Sequence, residues 1–529
     1  MRPTHSRFWL SFVCALSTAC ASALHPGGAA SSRAASDADI LHLLNRVTFG
    51  ARTADLDRVR SIGVAAFLDE QLHPERITDA AVEARLAAVS TATIVPRTFA
   101  LDYYKPMVTA RQELAAQARA AGGASRPALL RWHLLPIAAI TLPGVPRPTT
   151  IVQQPAVTPE EARFQYANQR AFEALQAEKL LRAVYSERQL EEVLVDFWFN
   201  HFNVDARKIE ERPVTAAYER DVIRPHVLGH FRDLLGATAK SAAMLFYLDN
   251  WMSIAPTATT SGPRRGLNEN YGRELLELHT LGVDGGYAQR DVVEVARCFT
   301  GWTMNDPHDG LGFVFKPAMH DRGTKRVLGR TIKGGRGVED GEEVLDLLAR
   351  HASTARFIAS KLVRRFVADD PPPRLVDRAA KTFRKSDGDL REVMRTILTS
   401  VEFRDAAARR AKVKSPFEYV VSALRATGAD VRDPRPFVNT IAALGEPLYQ
   451  SQPPTGYPDN ARAWINTGTL VGRLNFANAI AANGLNGATT NRERAEADLR
   501  RLLPDVEATD PSAQLRVALL IGSPGFQRR

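Results

Sequence analysis

The sequence has 529 residues, 45% of them hydrophobic and 24% charged, with 69 Lys and Arg against 59 Asp and Glu for a formal net charge of +10. These fractions exclude a wholly disordered chain and one embedded throughout in a membrane. The length exceeds that at which a single core usually stops growing, which predicts two or three helical subdomains or one large domain with lobes.

Residues 1–23 read as an export signal. Arg2 and Arg7 form a basic start, Trp9 to Ala19 an apolar run, and Ala21-Ser22-Ala23 a small-residue cleavage site. The run is too short to span a bilayer, and no later segment reaches the length of a transmembrane helix. The expectation is an exported protein, periplasmic or extracellular; the alternative is a lipoprotein anchored at Cys20. Cleavage removes Cys14 and Cys20 and leaves Cys298, whose place on an apolar helix face predicts a small core residue. The mature chain stays basic, which favours an anionic envelope polymer as partner. Yet arginines lie beside acids, as in Arg207-Lys208-Ile209-Glu210-Glu211-Arg212, and solvated helix faces are the simpler account. No nucleic-acid-binding module signature is present.

Residues 24–36 form a Gly-, Ala- and Ser-rich flexible leader, and helical patterning occupies 37–134. The stretch 135–159 is Pro- and Thr-rich and reads as an exposed loop. Helices resume over 160–311, where Thr158 suits an N-cap and Pro159 the first helical position. Over 312–335 the period changes, and Phe313-Val314-Phe315 with Arg326-Val327-Leu328 predict a small hairpin around His320-Asp321-Arg322-Gly323. Helical regions follow over 336–430 and 431–529. The predicted fold class is mostly α, a multi-helix globular protein with a small β-hairpin insertion.

The richest stretch runs from Asn268 to Trp302. At 3.6 residues per turn, Tyr271, Leu275 and Leu278 share one stripe, Asn270, Glu274 and Glu277 flank it on one side, and Asn268 and His279 on the other. Polar groups edging a buried face are either working groups with perturbed pKa values or a satisfied network that fixes helix packing, and the pattern leaves both open. Ala288 occupies the N-cap position of the helix that begins at Gln289 and offers no side-chain acceptor, although Asp291 stands three residues on.

Other candidates carry similar alternatives. His226 and His230, four apart, have the spacing of a zinc pair but no Glu between them and Gly229 in their turn. Asn200-His201 ends an aromatic-rich helix, where a histidine can favour the C-terminus. His320-Asp321 is a carboxylate-oriented base, a metal ligand or an Asx-turn before Gly323. Tyr457 and Trp464 beside a Pro-rich loop supply a sugar-binding wall or a plug over the core. Neither Gly-x-Ser-x-Gly nor a phosphate-binding glycine loop occurs, which disfavours an ordinary serine hydrolase or nucleotide enzyme.

Leu43-Leu44-Asn45-Arg46-Val47-Thr48-Phe49-Gly50, Phe197-Trp198-Phe199-Asn200-His201-Phe202, the stretch from Asn268 to Trp302, His320-Asp321 with Leu328-Gly329, and Pro454-Thr455-Gly456-Tyr457-Pro458 with Trp464 together resemble the bacterial domain-of-unknown-function 1800 family. The likeness runs from about residue 38 to about 485. It implies an exported or envelope-associated protein with a co-encoded sulfatase-like partner, and it supplies no catalytic residues. Two functions are therefore expected as alternatives. One is an envelope hydrolase, metal-assisted through a divalent ion, with His201, Glu274, Glu277, His279, His320 and Asp321 as acid/base or ligand groups and Asn268, Asn270, Tyr457 and Trp464 as substrate contacts. The other is a non-catalytic helical binding or assembly partner of the sulfatase-like protein.

Overall fold

Helix starts follow from side chains that satisfy the free N–H groups of a first turn. In the computed structural model, which describes residues 35–87, 89, 95–120, 158–208, 212–256, 266–305 and 311–529, Ser36 and Asp39 cap helix α1 (Asp37–Val47) reciprocally. Thr158 accepts from Glu161 N at 3.1 Å and Pro159 takes the first position of α2 (Pro159–Tyr185), as its sequence predicts. The export signal, nearly all of the leader and most of the Pro/Thr-rich stretch lie outside the described residues.

Helix α3 (Gln189–His201) buries most of its surface, including Leu190, Val193, Leu194, Trp198 and His201. The 268–302 region forms a short helix α4 (Asn270–Glu274), a wider turn over Leu275–Thr280, and helix α5 (Gln289–Cys298). Cys298 is a buried free thiol, as expected, and burial pushes its pKa up to about 12. After a strand-bearing segment over 302–332 come α6 (Glu339–Ala349), α7 (Ala352–Phe366) and α8 (Pro373–Lys385), with α7 packed closely on α8. Helices α9 (Pro416–Ala426), α10 (Thr467–Ala481), α11 (Arg492–Leu502) and α12 (Ala513–Gly522) complete the C-terminal part.

The protein is mostly α-helical, and among the described residues the sheets are small two-stranded antiparallel pairs. Their pairing differs from the expected single hairpin. β1 (Trp302–Met304) pairs with β2 (Phe313–Phe315), and β3 (Lys325–Val327) pairs with β4 (Arg330–Ile332). Phe313–Phe315 finds its partner upstream because the chain leaves α5 extended at Trp302. Leu328 and Gly329, both at positive φ (48° and 81°), make the tight turn that lets Arg326 pair with Thr331. A third pair, β5 (Asp430–Val431) with β6 (Ala488–Thr489), ties the C-terminal helices together.

One continuous cluster of buried side chains runs from Ile40 to Phe526, and a second, smaller one joins Phe99, Tyr104, Met107 and Phe164. The Leu43–Gly50 motif belongs to the large cluster. Gly50, at φ 120°, lies against Ser422 of α9, where an added Cβ would collide. Its carbonyl accepts from the buried Arg425 at 2.7 Å, while Phe49 N donates to Gln189 Oε1 at 3.0 Å. The motif thus joins the first helix to α3 and α9. Among the described residues no helix is long and apolar enough to cross a membrane.

Candidate functional site

The last turn of α3 brings Asn200 and His201 against the loop that carries Gly456 and Tyr457. Asn200 Oδ1 accepts from Tyr457 N at 2.6 Å, and its Nδ2 donates to Tyr457 O at 2.8 Å. Gly456 is required there: its φ is 71°, and a Cβ would strike the Asn200 carbonyl. Three residues on, Asn203 Nδ2 donates to Ser451 O and Pro453 O at 2.9 and 3.0 Å. Phe197-Trp198-Phe199-Asn200-His201-Phe202 and Pro454-Thr455-Gly456-Tyr457-Pro458, 257 residues apart at the Asn200–Tyr457 contact, are therefore one structure.

Between them opens a cavity of about 290 Å³. Tyr457 and Trp464 face one another on its wall with ring centroids 6.2 Å apart. From α2, buried Lys179 reaches into it, with Nζ 2.8 Å from Asp196 Oδ1 and 4.0 Å from Glu219 Oε2. Burial opposes the charge on Lys179, but the carboxylates of Asp196 and Glu219 outweigh it and the pKa rises. The rings of Phe199, Phe417 and Tyr449 also stand within 5.8 Å of the ammonium.

Glu446, on the same cavity wall, is held the other way. Burial, reinforced by the nearby Asp196 charge, pushes its carboxyl up to about 8, against the bond it accepts from Phe417 N at 2.8 Å. At neutral pH the cavity therefore presents a protonated carboxyl beside a carboxylate paired to cations. His201 adds a third group. Its Nε2 lies 3.2 Å from the His279 carbonyl, which can only accept, so Nε2 carries the proton and Nδ1 is a free acceptor. Burial, with Lys361 and His279 adding to it, holds this imidazole well below its ordinary pKa, so it stays neutral.

Of the ten sequence candidates, the cavity wall holds His201, Tyr457 and Trp464. His279 packs behind it against His201 and Phe202, with ring centroids 6.3 and 5.1 Å away, its Nε2 unpartnered and its pKa lowered to about 3 by burial and then by Lys361. Glu274 and Glu277 lie elsewhere. Tyr287 donates to Glu277 Oε2 at 3.0 Å, and Glu274 is half-buried with its pKa raised by burial and by Glu277. Asn268 Nδ2 donates to Asp249 O and Asn270 Nδ2 to Leu248 O, both at 3.3 Å, so both amides fasten the start of α4 to a preceding turn.

The stripe inferred for this region also shifts. The wider turn over Leu275–Thr280 adds a residue to the helical period, so Leu276 and His279 are buried while Leu278 is only half-buried.

His320 and Asp321 form a separate, closed network. His320 Nδ1 lies 2.7 Å from Thr300 O, and its Nε2 lies 3.3 Å from Asp340 Oδ2, which buried Lys325 also meets at 2.6 Å. Arg297 donates to both Asp321 oxygens at 2.8 and 3.1 Å, and Gly323 N donates to Asp321 Oδ1 at 2.8 Å, the Asx-turn among the readings of this pair. His226 and His230 each bond a different backbone carbonyl, of Val222 and Asp387. Among the described residues no three His, Cys, Asp or Glu side chains converge as a metal ion would need.

Asp196, Glu446 and the α7 cations Lys361, Arg364 and Arg365 line the cavity without having been singled out in the sequence. The i, i+3, i+4 spacing of the three cations was a readable signal for a shared face. Glu446, in Gly445-Glu446-Pro447, carries no such signal, since only burial makes it unusual.

The family described as "Protein of unknown function (DUF1800)" matches residues 42–528. No curated protein and no solved structure matches the chain.

Proposed function

The chain belongs to the DUF1800 family, and we propose that it is an exported envelope protein whose central cavity is an acid–base site for hydrolysing an envelope saccharide. One observation carries this reading: Glu446, protonated up to about pH 8, shares the cavity wall with Asp196, which Lys179 holds at 2.8 Å. Two carboxyl groups with opposed environments divide the labour of glycosidic hydrolysis. Glu446 donates its proton to the leaving oxygen as the glycosidic bond breaks, Asp196 provides negative charge for the oxocarbenium-like transition state, and a water then bonds to the anomeric carbon and returns its proton to Glu446. His201 Nδ1 accepts a substrate hydroxyl, and Tyr457 with Trp464 gives the ring an apolar face. The export part rests on the basic start, apolar run and small-residue site of residues 1–23.

The test is release of new reducing ends from isolated envelope polysaccharides by the full chain and by Glu446→Gln. The wild-type protein should release them, and the variant, folded by circular dichroism at the assay pH, should lose at least about a hundredfold in rate. Equal rates would overturn the assignment.

A second reading, a binding or assembly partner of a sulfatase-like protein, is favoured by one observation. Leu470, Val471 and Leu474 on α10 and Leu515 and Leu519 on the adjoining α12 are all at least 40% exposed, an aliphatic surface of the kind partners cover.

A further inference from the structure

Lys361, Arg364 and Arg365 stand at i, i+3 and i+4 on α7, so one helix face presents three cations to the cavity. Among the described residues, neither Lys361 nor Arg364 has a carboxylate within ion-pair distance, and Arg364 spends Nε on the Asp369 carbonyl at 3.1 Å. Arg365 is only 8% exposed and gives Nη1 to Glu418 at 2.6 Å. Its Nε has no partner, and its Nη2 stands 3.7 Å from Asp196, beyond hydrogen-bonding distance. A buried guanidinium with free donors is costly unless something accepts from it.

The carboxylates of the wall do not fill that need, because each has its own cation. Asp196 is held by Lys179 at 2.8 Å, Glu418 by Arg365 and by Arg529 at 3.1 Å, and Asp459 by Lys412 at 3.1 Å. Asp459 Oδ2 is buried and unpartnered, an acceptor poised for a hydroxyl. With Glu446 protonated, the wall's four cations, Lys179, Lys361, Arg364 and Arg365, face three carboxylates, and this excess, the free guanidinium donors and one hydroxyl acceptor together fit a tetrahedral oxyanion carried on a saccharide.

We propose that Lys361, Arg364 and Arg365 form an oxyanion subsite that takes the phosphate or sulfate ester of the saccharide, with Asp459 Oδ2 receiving a neighbouring hydroxyl. The assignment rests on the cavity being the saccharide site, and it names the substrate as an esterified, anionic polymer. Binding also carries a proton signature: burial lowers Lys361 to about 8, with the Asp459 charge opposing it and Arg364 adding to it, and an arriving oxyanion restores its proton.

Titration calorimetry of the full chain with inorganic sulfate, inorganic phosphate, glucose 6-sulfate and glucose 6-phosphate, at constant ionic strength in chloride, tests this. At pH 8 in two buffers of different ionisation enthalpy, binding should take up protons. Lys361→Met and Arg364→Met should each weaken it about tenfold or more, while Lys361→Arg retains it. A hexose ester that binds more tightly than its free ion supports the ester assignment, and equal or weaker binding overturns it. Unchanged affinity in both Met variants, with thermal midpoints preserved, would overturn the subsite. Glu446→Gln should bind these anions as the wild type does, so loss of turnover with intact anion binding separates the subsite from the acid–base assignment.

Discussion

Asn200 clamps the backbone of Tyr457, accepting from its N–H at 2.6 Å and donating to its C=O at 2.8 Å. Because both atoms of the side-chain amide are used, the loop cannot slide along α3 without breaking both bonds together. The clamp sets where Tyr457 and Trp464 stand relative to His201, and hence the shape of the cavity.

Removing the clamp should therefore cost stability as well as shape. Asn200→Ala leaves two half-buried backbone groups unpaired and should destabilise by about 2 to 3 kcal/mol. Asn200→Asp keeps the bond accepted from Tyr457 N and should cost less. Gly456→Ala should be at least as damaging as Asn200→Ala, since it adds a strained φ to a collision. Urea denaturation measures all three, and a neutral Asn200→Ala would show that the loop is held elsewhere.

The His320 network should behave as framework. Asp340 and Lys325 have fully buried side chains and meet at 2.6 Å, so Asp340→Asn leaves an uncompensated ammonium and should cost about 3 to 5 kcal/mol. Turnover per folded molecule should not change. A stable Asp340→Asn protein that had lost activity would transfer the working site to His320 and Asp321.

At the start of α5, Ala288 provides no cap, yet Asp291 N already donates to Ala288 O at 2.8 Å, and Asp291 Oδ2 accepts from Ala288 N at 2.9 Å. Ala288→Thr should therefore stabilise by less than about 1 kcal/mol, the low end for a new N-cap. Thermal denaturation reads the gain, and a loss would mean that the hydroxyl cannot reach the first turn.

Glu446 also makes a prediction about pH. Its pKa of about 8 in the fold lies above the ordinary value of 4.5, so the folded state binds the proton more tightly. The stabilisation from that proton is fully present below about 4.5 and declines as pH rises to about 8, with a slope of at most about 1.4 kcal/mol per pH unit. Glu446→Gln should remove that component. The difference in unfolding free energy between wild type and variant, measured by urea denaturation from pH 5 to 8, should change steadily, and a constant difference would show an ordinary carboxyl.

Much of this was legible in the sequence, for identifiable reasons. Thr158 and Pro159 announce a helix start through local chemistry alone, and Asn200-His201, Tyr457 and Trp464 stood out by residue type. What failed to show depends on the third dimension. Phe313–Phe315 pairs with Trp302–Met304, not Arg326–Leu328, because the chain direction after α5 decides the partner. The wide turn at Leu275–Thr280 breaks the regular period that predicted the Tyr271–Leu278 stripe. Glu446 looks like a surface glutamate until Phe417 and Asp196 surround it.

The pH dependence of kcat/KM on an envelope saccharide tests whether Glu446 is the working acid, because it reports the acid of the free protein. The wild-type rate should fall above about pH 8 as Glu446 loses its proton and Lys361 its charge, and a Glu446→Gln protein should show little rate at any pH. A wild-type rate unchanged through pH 8, or a Glu446→Gln protein with the wild-type profile, would contradict it.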